Sequence, residues 1–279
     1  MQSVTDMVIL ITGATDGIGR QAAHELAAAG ATVLVHGRNP ERGAETLEEI
    51  RSATGNERLH YLQADFAALS EVRQLADTVQ SRFERLDVLI NNAGVGPGKR
   101  GAERTTSSDG YELRFAVNYL ASFLLTHLLL PRLRQSTPAR IVNVSSVGQS
   151  PIDFDDVMLE RQYAGMQAYR QSKLALILFT FELAGRLPPE EITVNSLHPG
   201  SLLDTKMVRE TFGEPMGSAQ SGAEALVYLA TSPELAGVTG KYFDQQRESR
   251  ANAQAYDAAA RRQLWHLSEA LTGINRSYA

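Results

Sequence analysis

The sequence predicts an α/β protein built on one parallel sheet with helices over both faces. Short β-branched apolar runs alternate with longer amphipathic stretches along the whole chain. Strand-then-helix, repeated this often, gives parallel neighbours joined by crossover helices. The short runs are nearly continuous in apolar residues rather than alternating, as strands buried on both faces should be. A glycine-rich turn directly after the first run marks where such a sheet holds a ligand.

Taken in order, residues 8–12 (VILIT) form the first strand and 18–29 a helix stopped at Gly30. Residues 32–36 form the second strand and 41–52 the second helix. A strand over 59–63, a helix over 70–83 and a strand over 87–91 follow, then a long helix over 112–133 that ends near Pro131. Residues 140–145 form the fifth strand, 168–186 a helix and 193–197 the sixth strand. Residues 221–230 are helical, 241–243 form the seventh strand and 252–271 a terminal helix. Two segments break the alternation, 147–167 and 201–220. Both follow the C-terminal end of a strand, the edge where an open α/β sheet binds its ligand, so both are substrate-loop candidates.

A chain of 279 residues allows one large domain or two small ones. No low-complexity linker divides it and no internal repeat is visible, so a single domain over 1–279 is expected. Lys and Arg number 27 against 32 Asp and Glu, a net charge of −5, which argues against a nucleic-acid partner. The absence of cysteine excludes disulfides, thiolate metal sites and cysteine nucleophiles. The histidines show no metal-ligand spacing, and Asp153, Asp155 and Asp156 read as a solvated acidic loop, so no metal is expected. No basic, apolar leader is visible at residues 1–11. The longest apolar stretch, 115–131, is interrupted by Asn118, Tyr119, Ser122, Thr126 and His127 and is too short and polar for a membrane span. A soluble, cytoplasmic protein is the expectation.

The first strand runs into Thr12-Gly13-Ala14-Thr15-Asp16-Gly17-Ile18-Gly19, with glycines at spacings of four and two. Gly13 permits a tight turn, Gly17 lets backbone amides approach a pyrophosphate, and Gly19 lets the helix sit close to the sheet. Thr15, Asp16 and Ile18 lie in the same turn and are expected cofactor contacts. A glycine-rich turn without a ligand is the alternative. The second strand ends His36-Gly37-Arg38-Asn39, without the carboxylate that binds the ribose 2′-hydroxyl of NAD. Arg38 meets a 2′-phosphate instead, with Asn39 beside it, which favours NADP(H) while leaving NAD(H) possible. A solvated surface arginine is the alternative for Arg38.

Further motifs follow in a fixed order: Asp65 after the third strand, Asn91-Asn92-Ala93-Gly94, Asn118 in the long helix, Val142-Asn143-Val144-Ser145-Ser146, Tyr169-Arg170-Gln171-Ser172-Lys173, and His198-Pro199-Gly200. Together with the glycine turn they resemble the short-chain dehydrogenase/reductase family over essentially the full length. The insertion before the tyrosine and the ending KYF…LWHLSEALTG look like its retinol dehydrogenase-like branch. The resemblance implies a Rossmann-type, doubly wound, parallel seven-stranded sheet and hydride transfer between alcohol and carbonyl.

Tyr169 and Lys173 are four apart, so a helix stacks them on one face. A free tyrosine, with a pKa of about 10, is a poor base at neutral pH, and adjacent positive charge, from Lys173 and an oxidised nicotinamide together, lowers it. Alone, such a pair is an ordinary surface pair; the surrounding motifs make it catalytic. The resemblance also has Lys173 hydrogen-bond the nicotinamide ribose and Asn118 hold a water that relays protons from it. A buried structural asparagine is the alternative for Asn118. Ser145 and Ser146 are adjacent in a strand and face opposite ways, so only one can meet substrate; the family pattern places that role on Ser146. Asn91, Ala93 and Gly94 close the fourth strand and let backbone approach the adenosine side. Asp65, with Phe66 beside it, is expected to accept from the adenine amino group, with capping as its alternative. Pro199 and Gly200 shape the wall beside the nicotinamide. The family's cofactor-gripping threonine is out of register here, since Ser-Leu-Leu-Asp separates Gly200 from Thr205.

These residues support an NADP(H)-dependent carbonyl reductase or alcohol dehydrogenase acting on a small-molecule substrate. A non-catalytic dinucleotide sensor has no need of Asn118, Ser146, Tyr169 and Lys173 together, and a reductase of activated C=C bonds would use the same geometry. Val157, Met158, Leu159, Leu202, Leu203 and Met216 make the two loops apolar, which suits a hydrophobic substrate or simple packing over the core. The resemblance permits a homodimer through the Asn118 and Tyr169 helices, with the apolar run 124–130 as its contact.

Overall fold

The apolar runs fold as β1 (Val8–Ile11), β2 (Thr32–Gly37), β3 (Leu59–Gln63), β4 (Val88–Asn91), β5 (Ala139–Val144), β6 (Ile192–His198) and β7 (Tyr242–Asp244). These belong to a computed structural model that describes residues 3–274; residues 1–2 and 275–279 of the expected domain lie outside the described residues. The helices are α1 (Gly17–Ala28), α2 (Pro40–Thr54), α3 (Leu69–Arg82), α4 (Leu113–Phe115), a π-helical turn (Ala116–Leu120), α5 (Ala121–Gln135), α6 (Gly165–Ala184), α7 (Lys206–Phe212), α8 (Ala219–Thr231) and α9 (Ala258–Thr272). An eighth strand, β8 (Arg247–Ser249), returns antiparallel along β7. The sequence predicts seven strands; β8 is an Arg-Glu-Ser edge hairpin, exposed throughout, and has no apolar pattern to announce it.

The sheet order is β3-β2-β1-β4-β5-β6-β7-β8, parallel from β3 to β7. Successive strand residues face opposite sides. Ile9, Ile11, Val33 and Val35 therefore meet α1 and α8, while Leu10, Leu34 and Leu89 meet the α3, α5 and α6 side. The order reverses between β1 and β4. The C-terminal ends of these two strands flank the crevice in which such a sheet takes its ligand.

Leu113–Gln135 runs as one helix of 23 residues and, by length and composition, is long and apolar enough to cross a membrane. The sequence places a shorter, more interrupted stretch there. Of its most apolar window 89% is buried inside the molecule, which is the position of a core helix. Leu124, Leu125, Leu129 and Leu130 are buried and Leu128 is partly buried, so little of this run is left for a second copy. α9 closes the same layer from outside. Its Trp265 is 2% exposed, Arg186 lies 3.9 Å over the indole, and Ser268 Oγ meets Tyr119 Oη at 2.6 Å.

Candidate active site

The glycine turn is stitched to the end of β4. Thr12 Oγ1 accepts from the amides of Asn92 at 2.9 Å and Ala93 at 3.0 Å, and Asn92 Nδ2 donates back to the carbonyls of Thr12 and Gly13 at 2.9 and 3.0 Å. This closeness explains Gly13, which has φ +65 and whose missing Cβ would stand 2.7 Å from Ala93 Cα. The sequence groups Asn91 with the cofactor contacts. Its side chain instead turns into the core, donating to Thr126 Oγ1 at 3.0 Å and Asn143 Oδ1 at 2.8 Å. Asn92, one residue on, does the work at the crevice, because adjacent residues at a strand end point opposite ways.

Asp16 caps α1, accepting from the Gly17 amide at 2.7 Å, and pairs with Arg42 Nη2 at 2.8 Å. Burial pushes its carboxyl up, but Arg42 and the Gly17 amide outweigh this and hold it below the usual range. Arg42 was not legible as a site residue. It stands in the first turn of α2, where Asn39 accepts its backbone amide at 2.7 Å as the helix cap. Arg38, directly after β2, is exposed. The turn thus carries the Arg42 guanidinium, while Asn39 is engaged in capping. Thr15 lies against Gly37, where a Cβ would come 2.6 Å from its Cγ2.

His36, at the end of β2, also escaped the sequence. Its Nδ1 accepts from the Gly13 amide at 3.1 Å, and its Nε2 stands 3.1 Å from the Ala64 carbonyl. Accepting at Nδ1 and donating at Nε2 requires the neutral ring, and burial pushes its pKa down to about 4. The imidazole stacks on Phe66 with ring centroids 4.4 Å apart. Phe66 is buried, so its side chain supports the wall rather than facing a ligand. Asp65 caps its own turn, accepting from the Ala67 amide at 2.9 Å.

On the other side of the crevice, Asn118 occupies the π-helical turn, fully buried. Its Oδ1 accepts from the Val95 amide at 2.7 Å, and its Nδ2 donates to the Val95 carbonyl at 3.1 Å and Ser172 Oγ at 3.0 Å. A Cβ on Gly94 would lie 3.2 Å from Asn118 Oδ1 and 3.5 Å from Lys173 Nζ, so glycine brings the three together. Lys173 donates to the Val144 carbonyl at 2.9 Å, and burial pushes its ammonium down to about 8.

Tyr169 lies one helical turn before Lys173, with Nζ 5.8 Å from the ring centroid. Ser146 Oγ and the Tyr169 ring meet at Gly148, where a Cβ would lie 3.4 Å from the one and 4.0 Å from the other's Cε1. Burial of the phenol pushes its pKa up from the ordinary value. Ser146 Oγ accepts from the Gly148 amide at 3.0 Å, whereas Ser145 Oγ donates to the Lys173 carbonyl at 2.7 Å. The two serines face opposite ways, and Ser146 faces Tyr169.

Past β6, Pro199 and Gly200 lead into the loop before α7. His198 Nε2 meets Ser201 Oγ at 3.0 Å, and burial lowers its pKa. Thr205 caps α7, and its Cγ2 lies 3.0 Å from where a Cβ of Gly17 would be. The register that looked wrong in sequence thus still brings Thr205 over the glycine turn. The loop apolar residues divide. Val157, Leu159 and Leu203 are buried, while Met216 is 83% exposed. Among the described residues, no group of three or more His, Cys, Asp or Glu could hold a metal ion.

The family model described as short chain dehydrogenase matches residues 7–215. The chain belongs to the short-chain dehydrogenase family. This dehydrogenase is an oxidoreductase of the alcohol/carbonyl class, similar in its retinol dehydrogenase-like features to retinol dehydrogenase 13 of Mus musculus. The two are 39% identical over 98% of this chain and 85% of the relative. Among solved structures it is similar to a short chain dehydrogenase from Shigella flexneri complexed with NADP, with a TM-score of 0.69, 29% identity, and coverage of 88% of this chain and 100% of that one. A short chain dehydrogenase from Escherichia coli CFT073 complexed with NADPH gives a TM-score of 0.71 and 29% identity, with coverage of 86% of this chain and 97% of that one.

The crevice fits a nicotinamide dinucleotide. The turn runs without side chains at Gly13, Gly17 and Gly19, α1 begins in it, and the Arg42 guanidinium stands beside it on Asp16.

Proposed function

We propose that this dehydrogenase is an NADP(H)-preferring enzyme that interconverts a hydrophobic alcohol and its carbonyl compound. The observation that carries the reading is the convergence of Ser146, Tyr169, Lys173 and Asn118 at the crevice edge: Lys173 Nζ lies 5.8 Å from the Tyr169 ring, Ser146 and Tyr169 both flank Gly148, and Asn118 and Lys173 both flank Gly94. The bound cofactor supplies or accepts the hydride. In reduction, Tyr169 donates its proton to the substrate oxygen, and a phenol held neutral by burial is primed for this. Ser146 accepts from the Gly148 amide, which leaves its own hydrogen free to donate to the same oxygen. Lys173, fixed by the Val144 carbonyl, stabilises the phenolate left behind. Asn118 holds Val95 by both amide atoms and keeps the wall next to Lys173 in place.

NADP(H) preference rests on Arg38 and Arg42, the second steered by Asp16. The NADP and NADPH complexes of the two similar structures support it. Gly13, Gly17, Gly19 and Thr205 hold the phosphates, Ala93 and Gly94 let backbone approach the adenosine side, and Pro199 and Gly200 line the nicotinamide side. Hydrophobic substrates are supported by the retinol dehydrogenase relatives, with retinoid aldehydes as natural first probes. The loop leucines support this less than their composition suggests, because most of them fill the core. A cytoplasmic location is part of the proposal, on the burial of the apolar helix and the lack of cysteine. A homo-oligomer also remains part of it, through a surface other than the buried run 124–130.

The test is turnover of aldehydes, ketones, alcohols and enones, retinal included, with NADPH and NADH. Reduction of a carbonyl with NADPH, abolished in Tyr169→Phe, is expected. Tight NADPH binding without turnover of any compound would replace this reading with a sensor, and reduction of enones alone with a C=C reductase.

A further inference from the structure

A second buried charged cluster stands one helical turn from Asn118. Arg114 is 7% exposed and Glu112 1% exposed. Arg114 Nε donates to the Gly96 carbonyl at 3.2 Å and its Nη2 to the Pro97 carbonyl at 3.2 Å. Its Nη1 reaches Tyr163 Oη at 2.7 Å, Thr105 Oγ1 at 3.3 Å and Glu112 Oε1 at 3.4 Å. Tyr163 Oη donates to Glu112 Oε1 at 3.2 Å, and Glu112 Oε2 accepts from the Phe115 amide at 2.8 Å. Burial and the Glu112 carboxylate push the Tyr163 phenol up to about 12, so it stays a donor. A buried guanidinium is costly unless its donors find acceptors, and here they do.

What these groups join matters more than how many they are. Asn118 holds Val95 while Arg114 holds Gly96 and Pro97, so two side chains of one helix grip three consecutive residues after Gly94. Tyr163 belongs to the loop 147–167 and lies just ahead of α6, the helix that carries Tyr169. At the start of α6, Gly165 lies so close to the Pro97 carbonyl that a side chain there would collide with it. On the far side, Gly96 meets Met207 of α7, where a Cβ would lie 2.8 Å from its Cγ. One guanidinium therefore ties the wall after Gly94 to the entry of the catalytic helix.

We propose that Arg114, with Glu112 and Tyr163, is a positioning latch that sets the spacing between the residue 95–97 wall and the catalytic helix, and so selects carbonyl substrates by size. The proposal rests on the carbonyl-reductase reading of the site. The latch touches neither the glycine turn nor Arg38 and Arg42, so it acts on substrate rather than on the adenosine half of the cofactor.

Two variants test it in the full-length protein. Tyr163→Phe removes one hydroxyl and leaves the Glu112–Arg114 pair; Arg114→Lys keeps the charge but cannot reach all its acceptors. The first readout is hydrogen exchange, which needs no turnover. The amides of Val95, Gly96 and Gly98 and those at 163–168 should exchange faster in both variants, with those at 13–19 unchanged. The second is kinetic. KM for the largest accepted carbonyl should change about tenfold relative to the smallest in Tyr163→Phe, with the NADPH Kd within about twofold of wild type. Unchanged exchange at Val95, Gly96 and Gly98 in both variants would overturn the latch, whatever the activity. Faster exchange with an unchanged size preference would also overturn it, leaving a purely structural pair. A wild-type protein that reduces no carbonyl, yet shows the exchange change, would refute the underlying reading and with it the role in selection.

Discussion

Replacing His36 by asparagine should flatten the loss of stability on the acid side. The folded ring is held neutral, with a pKa lowered from 6.5 to about 4. Protons therefore bind the unfolded chain better, and the contribution is complete above the unfolded pKa. It falls away as pH drops from 6.5 toward 4, since unfolding then takes up a proton. At 1.36 kcal/mol per pKa unit the whole shift is worth about 3 kcal/mol, and about 2 kcal/mol of it is gone by roughly pH 5. Asparagine has no proton to gain in this range. His127, whose pKa is also pushed down to about 4 by burial, bends the curve identically in both proteins and cancels in the comparison. Urea unfolding followed by the fluorescence of Trp265, the one tryptophan in the chain, measures the difference. Between about pH 7 and pH 5 the wild type should lose about 2 kcal/mol more than the variant, whatever their starting stabilities. Equal losses would refute the neutral, doubly hydrogen-bonded ring.

Ser146→Ala should lower kcat/KM by about tenfold or more, and Ser145→Ala by less; the reverse order would overturn the assignment of the donor. Arg38→Ala and Arg42→Ala should each raise KM for NADPH about tenfold and leave KM for NADH nearly unchanged. Asp16→Asn should act in the same direction, more weakly, and an equal effect on both cofactors would remove the 2′-phosphate role. Trp265→Ala should destabilise the fold by about 3–5 kcal/mol, read by circular dichroism during urea unfolding. A loss under about 1 kcal/mol would mean that α9 holds little of the core together.

The strands and the catalytic constellation were legible because their signals are local. β1 is apolar at every position and β2 carries a Val-Leu-Val run, and Tyr169 and Lys173 show their shared face through a spacing of four. What stayed hidden depends on which way a side chain turns at the end of an element. Asn91 and Asn92 are identical in type, and only the pleat decides that one enters the core and the other the crevice. Arg42 looks like any arginine in a polar helix start until the fold brings Asp16 beside it, 26 residues earlier in the chain. His36 ends an apolar strand, and its two partners lie in different loops. The apolar loop residues misled in the opposite sense. Composition cannot distinguish a side chain that lines a cleft from one such as Leu159 or Leu203 that fills the core beneath it.

The closure of the α5–α6 layer by α9 has a consequence for synthesis. During translation the adenosine half and the catalytic helix leave the ribosome well before the segment that covers them, with roughly 70 residues between the end of α6 and the start of α9. At about 5–20 residues per second, the aromatic face around Phe123 and Phe179 stands uncovered for several seconds. In that interval the nascent chain is most exposed to aggregation, and a chain terminated before Ala258 would carry its catalytic residues but leave its core open.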